Sequence, residues 1–141
     1  MTTAEARAWA AEAERRVSAR TMRYCPHDPW PKQQAFLSLT SREALFGGAA
    51  GPGKSEALLM DPLQYVHVPG FAAILFRRTY TDLSLPGAIM DRAREWFTGK
   101  ADWNDREKRW TFPSGASITF GYLETAADRY RYQSAEFQYI G

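Results

Sequence analysis

Apolar residues along this chain follow two periods, and the switches between them mark out its elements. Residues 3–19 place Ala6, Trp9, Ala10, Ala13 and Val17 on one thin face amid Glu and Arg, which predicts a helix. Thr2 and Glu5 stand at capping-box spacing at its start. Tyr24 to Lys32 is a Pro-rich connector, and Pro31 suits the first turn of a short helix from Lys32 to Ser38 with Phe36 and Leu37 inward. Glu43-Ala44-Leu45-Phe46-Gly47 has the length of a short buried strand. Residues 54–66 return to helical spacing through Leu59, Leu63 and Val66, with a break expected near Pro62. Phe71 to Phe76 is a continuous apolar run, the mark of a strand buried on both faces, so 43–76 reads as a βαβ unit with a parallel sheet. Residues 87–98 form a helix with Ile89, Ala93, Trp96 and Phe97 on one face. Trp110 and Phe112, then Ala116, Ile118, Phe120 and Tyr122, alternate on either side of Pro113-Ser114-Gly115, which predicts a β-hairpin. Phe137 to Ile140 begins another apolar strand.

Between the first strand and the helix after it stands Gly48-Ala49-Ala50-Gly51-Pro52-Gly53-Lys54-Ser55, which reads G-x-x-x-x-G-K-[ST], the P-loop. The chemistry follows from the residue types. Glycines let successive backbone N–H groups form a concave nest for phosphate oxygens, and the helix that follows points its N-terminus at them. Lys54 adds a positive charge for the β- and γ-phosphates, and Ser55 Oγ is a ligand for Mg²⁺. ATP with Mg²⁺ is the expected cofactor pair.

Composition narrows this little. Of 141 residues 45% are hydrophobic and 24% charged, enough for a globular core and against disorder. A net charge of +2 does not by itself argue for nucleic acid. Arg15, Arg16, Arg20 and Arg23 form either a basic patch or a solvated helix end. Cys25 is the only cysteine, so no intrachain disulfide can form, and its neighbour His27 has no second pair with which to hold a metal. No run reaches the roughly 20 apolar residues of a membrane span, and the Ala- and Glu-rich start does not read as a secretory leader. A cytoplasmic protein is expected.

Three further groups carry chemistry. Gln33 or Gln34 could pair with an adenine edge, because a carboxamide offers both donor and acceptor; a Gln there is otherwise simply solvated. Arg77 and Arg78 end the second strand, where ligands bind in open α/β sheets; they face a nucleotide or a neighbouring subunit, or else pair at the surface with Asp82 or Glu95. Residues 124–134 interleave Arg129 and Arg131 with Tyr130 and Tyr132, a pattern that stacks on bases or packs tyrosines under a sheet.

Taken in order, Pro29-x-Pro31-x-Gln33, Leu45 to Ser55, Leu75-Phe76-Arg77-Arg78-Thr79-Tyr80, Arg109 to Ala116 and Tyr130 to Gly141 resemble the large terminase subunit of tailed bacteriophages over about residues 24–141. The resemblance implies an α/β fold: a P-loop NTPase of the additional-strand, catalytic-glutamate class, with a parallel sheet flanked by helices plus a β-hairpin. Residues 1–23 are then an N-terminal helix and 24–141 part of the ATPase domain. It implies a DNA-packaging motor, phage- or prophage-encoded, working in the host bacterial cytoplasm. Its partners are double-stranded viral DNA, a portal protein, a small terminase subunit and further copies of itself in a ring.

Site residues carry over one at a time. Gln33 matches the adenine-binding glutamine, and Gly48 to Ser55 match Walker A. Arg77 or Arg78 is the candidate sensor. Ala49, Ala50, Gly51 and Pro52 hold no arginine, so the finger role falls to Arg129 or Arg131, acting across subunits with Lys54 in catalysis. The Asp-Glu pair of Walker B, expected just past Gly141, and the nuclease domain are missing from these residues, which therefore resemble an incomplete domain. Such a piece is expected to bind ATP without hydrolysing it and to expose an apolar sheet edge. A nucleotide- or DNA-binding remnant and an unrelated P-loop NTPase are the alternatives.

Overall fold

A computed structural model describes residues 1–21, 23–48 and 53–141. The chain divides into two compact units, Met1–Gln64 and Tyr65–Gly141.

The first unit is helical. Helix α1 (Thr3–Thr21) opens with the expected capping box: Thr2 N–H donates to Glu5 Oε2 at 2.6 Å and Glu5 N–H to Thr2 Oγ1 at 3.2 Å. Helices α2 (Pro31–Leu37) and α3 (Lys54–Leu63) pack on α1 and on each other. Val17, Leu37, Ala57, Leu59, Met60 and Leu63 are buried, and Gln64 Nε2 ties the end of α3 to the Leu37 carbonyl at 3.1 Å. Alanine offers little area, so the thin face of α1 closes only at its C-terminal end. Trp9 is 69% exposed, and a groove of about 840 Å³ stays open between Ala10, Ala11 and Ala13 of α1 and Pro29, Pro31 and Ala35. Helix α3 runs through Pro62 and ends at Leu63 rather than at residue 66.

The expected strand at Glu43–Gly47 does not form, and with it the βαβ unit is lost. Residues 44–48 are irregular, Leu45 is 95% exposed, and the Phe46 ring stacks on Phe36 with centroids 5.4 Å apart. A strand exists only with a ladder partner, and these residues pair with no strand of the sheet.

The second unit is built on a mixed five-stranded sheet. Strand β1 (Ala72–Arg77) is followed by α4 (Tyr80–Ser84), α5 (Ile89–Phe97), β2 (Asp102–Asn104), β3 (Arg109–Thr111), β4 (Ser117–Tyr122), a 3₁₀ helix (Ala126–Tyr132) and β5 (Tyr139–Ile140). The order is β2-β3-β4-β1-β5, with β1 parallel to β4 and β5, and β2, β3 and β4 antiparallel in turn. The α/β class and the β3–β4 hairpin are therefore present, in a sheet that is mixed rather than parallel. Register places Trp103, Trp110, Ile118, Ala73, Phe120 and Leu75 on one face, where Phe97 of α5 packs on Trp110 and Phe112. The edge strands are β2 and β5, and Ile140 of β5 is 68% exposed.

On the other face Phe76 lies across from Gly121, and the Tyr132 ring meets Phe76 edge-on at 5.0 Å. A Cβ on Gly121 would stand 2.7 Å from Phe76 Cε1 and 2.8 Å from the Tyr132 hydroxyl. Gly121→Ala is therefore expected to cost about 1–3 kcal/mol by overpacking. Thermal melting should fall by several degrees; an unchanged midpoint would show that the two rings move aside freely.

Candidate functional site

Helix α3 begins where the P-loop motif ends, as the motif requires. Gly53 is its N-cap with φ +122, and Gly48 at the other end of the motif has φ +142, values that glycine reaches without a Cβ penalty. Ala49, Ala50, Gly51 and Pro52 lie outside the described residues. Lys54 Nζ donates to the Gly48 carbonyl at 2.6 Å, so its ammonium spans the loop. Ser55 is half-buried in the first turn of α3. Lys54 and Ser55 thus stand in the first turn of α3, the residue types at a helix N-terminus that suit a polyphosphate with Mg²⁺.

Residues from His27 to Gln33 are tied to the start of α3. Gln33 is 1% exposed; its Oε1 accepts from the Trp30 N–H at 2.9 Å and its Nε2 donates to the Gly53 carbonyl at 3.0 Å. These partners fix which end of the amide is oxygen and which nitrogen. The Trp30 ring closes over Gly53, within 3.7 Å of where a Cβ would stand. His27 Nε2 lies 3.0 Å from Glu56 Oε2 in the first turn of α3, and its Nδ1 lies 2.8 Å from the Asp28 carbonyl. Both ring nitrogens stand at hydrogen-bond distance from an oxygen. Sequence reasoning reached Gln33 but missed Trp30, His27 and Glu56. The i, i+3 spacing of Trp30 and Gln33 was the only local signal for any of them.

Cys25 Sγ donates to the His27 carbonyl at 3.1 Å. Among the described residues no group of His, Cys, Asp or Glu could hold a metal ion. Arg15 and Arg16 both pair with Glu12, as a solvated helix end does.

The arginine candidates all belong to the second unit. Arg77 ends β1, and Arg78 is exposed just after it. Asp82 is engaged elsewhere: it caps α4 through reciprocal bonds with Thr79. Arg129 lies over the Tyr130 ring, 5.1 Å from its centroid, beside a pocket of about 340 Å³ lined by Arg129, Tyr130, Tyr132 and Gln133. Arg131 lies 4.6 Å from the Tyr122 centroid and 3.1 Å from Asp128 Oδ1. Its pKa is held above the usual value by the hydrogen bond to Tyr122 and by the nearby Asp128 charge.

Asp128 builds this turn. Its Oδ2 accepts from Thr125 N–H at 2.7 Å, Glu124 N–H at 2.9 Å and Thr125 Oγ1 at 3.2 Å. The Thr125 N–H first, then the Glu124 N–H, the Thr125 hydroxyl and Arg131, hold the carboxyl below its ordinary value of 3.8. A group whose folded pKa is depressed contributes stability that is present above the unfolded value and lost as pH falls through the folded one. From about pH 6 to about pH 3 the wild-type chain should therefore lose more melting temperature than Asp128→Asn. Parallel pH profiles would refute the role.

Among the described residues no helix is long and apolar enough to cross a membrane. No protein-family model, curated protein or solved structure matches the chain.

Proposed function

We propose that this chain is the ATP-binding portion of a viral DNA-packaging motor, a tailed-phage terminase large subunit that drives ATP-dependent movement of DNA into a procapsid. The observation that carries the reading is the P-loop motif opening α3, with Gly53 at positive φ and Lys54 reaching across the loop. Lys54 and the α3 N-terminus take the phosphates, and Ser55 Oγ takes Mg²⁺. Arg77 or Arg78 senses the nucleotide, and Arg129 or Arg131 reaches a neighbouring subunit's nucleotide in a ring mounted on a portal. The ordered segments from Pro29 to Gly141 support packaging over other P-loop functions.

A second reading, a nucleotide-binding element without turnover, draws on the irregular backbone at 44–48 where the first reading expects a strand.

Equilibrium titration of the chain with ATP and Mg²⁺ tests the nucleotide reading, which fails if no saturable binding appears. The packaging reading is tested at the gene. An open frame past codon 141 that continues an apolar strand into an Asp-Glu pair supports it, and a continuation without acids overturns it.

A further inference from the structure

We propose that the open groove beside α1 seats α1 of a second copy of this chain, docked antiparallel across a two-fold axis. The inference stands apart from the phosphate site and needs no nucleotide.

The groove of about 840 Å³ has Ala10, Ala11, Ala13 and Glu14 of α1 on one side and Pro29, Pro31 and Ala35 on the other. Side chains this small let a second helix come close. The charges of α1 decide which helix fits. Glu5 serves the N-terminal cap, and Glu12 takes both Arg15 and Arg16. Arg7 and Glu14 are exposed and have no ion-pair partner among the described residues. They stand two turns apart on one stripe of the helix, separated by about 10 Å along its axis. An antiparallel copy that sets its Glu14 against Arg7 sets its own Arg7 against Glu14 by the same symmetry. In that register Ala10 and Ala11 face Ala11 and Ala10 of the second copy at the axis, where no long side chain holds the helices apart. A parallel copy in register would set Arg7 on Arg7 and Glu14 on Glu14. The stripe is thus complementary to itself in one orientation. Such a contact closes as a pair, so it is distinct from any ring contact made by the arginines of the second unit. It is small beside the roughly 800 Å² per partner of a standard interface, so the pair should be weak.

Sedimentation equilibrium of the full chain without nucleotide, up to about 500 μM, tests this. Wild type should pass from monomer to dimer. Arg7→Glu and Glu14→Arg, made singly, each turn two attractions into two repulsions and should weaken the pair about tenfold. The variant carrying both changes restores two ion pairs with their signs exchanged and should return to within about threefold of wild type. Two turns separate Arg7 from Glu14 within one chain, so rescue comes only from a second copy. A wild-type chain that stays monomeric throughout overturns the proposal, whatever other helix the groove accepts. A dimer indifferent to the single reversals, or not rescued by the double one, overturns it too and places the contact elsewhere. Because a variant could lose α1, wild type supplies a second readout: 1 M salt screens exposed ion pairs and should weaken the dimer, and a dimer insensitive to salt counts against this register.

Discussion

Lys54→Ala should weaken Mg-ATP binding by one to two orders of magnitude while leaving the fold unchanged. The Lys54 ammonium is held at the loop by the Gly48 carbonyl, a neutral acceptor. A triphosphate offers oxygens that carry charge, and hydrogen bonds between charged groups are roughly twice as strong as neutral ones. Deleting such a bond costs about 1.5–3 kcal/mol, which is the stated loss in affinity. The stability cost is small by contrast, because Lys54 lies in the first turn of α3 and fills no core position. Its removal should stay within about 0.5 kcal/mol, as surface changes usually do. Lys54→Arg separates charge from shape: it keeps the cation, but its planar fork does not replace a compact ammonium among backbone N–H groups. Calorimetric titration with Mg-ATP and with inorganic triphosphate checks both variants. Equal affinities for wild-type and Lys54→Ala would remove the phosphate-binding reading.

Local pairs are legible in this sequence and distant ones are not. The Thr2–Glu5 capping box, Pro31 at the start of α2, the Ile89–Phe97 helix and the Pro113-Ser114-Gly115 turn lie within a few residues of their partners, and each forms. Glu43–Gly47 fails because length and apolarity describe a candidate strand without supplying a neighbour. Both edges of β1 are taken, by β4 and by β5, and no periodicity announces that choice. Strand β2 goes unread for the same reason: three residues carry no period of their own and gain their strand character from pairing with β3.

The candidate site divides along the same line. The motif from Gly48 to Ser55 is spelled out in consecutive residues, and helix α3 starts where that spelling places it. The ties to the start of α3 are assembled from contacts 20 residues apart for Gln33–Gly53 and 29 apart for His27–Glu56. A carboxamide on a short helix has the same spelling whether it meets solvent, a base or a backbone carbonyl. Burial decides among these, and burial is a property of the fold. Tyr132 is the parallel case in the second unit. As sequence it is one tyrosine of an Arg-Tyr alternation, yet its hydroxyl accepts from the Tyr122 N–H at 3.3 Å and its ring packs on Phe76, seating the helix that carries Arg129 and Arg131.

Phe97→Ala should bring the second unit close to unfolding. The ring is fully buried at the last position of α5 and meets three aromatic rings: Trp110 at 5.6 Å, Phe112 at 5.2 Å and Trp96 at 6.4 Å between centroids. It joins α5 to β3 and to the residue that opens the hairpin turn, so its loss leaves a cavity between layers that the short strands are poorly placed to close. Truncation of a buried phenylalanine costs about 3–5 kcal/mol. A unit spanning Tyr65–Gly141 carries roughly 0.05–0.15 kcal/mol per residue, about 4–12 kcal/mol in all. The substitution thus removes a quarter or more of the total. Phe97→Leu keeps most of the volume and should cost less than half as much. Urea unfolding followed by near-ultraviolet circular dichroism reads the result directly, because Trp96 and Trp110 lie against the deleted ring. A cost below about 1 kcal/mol for the alanine variant would mean that α5 does not hold the sheet through this residue.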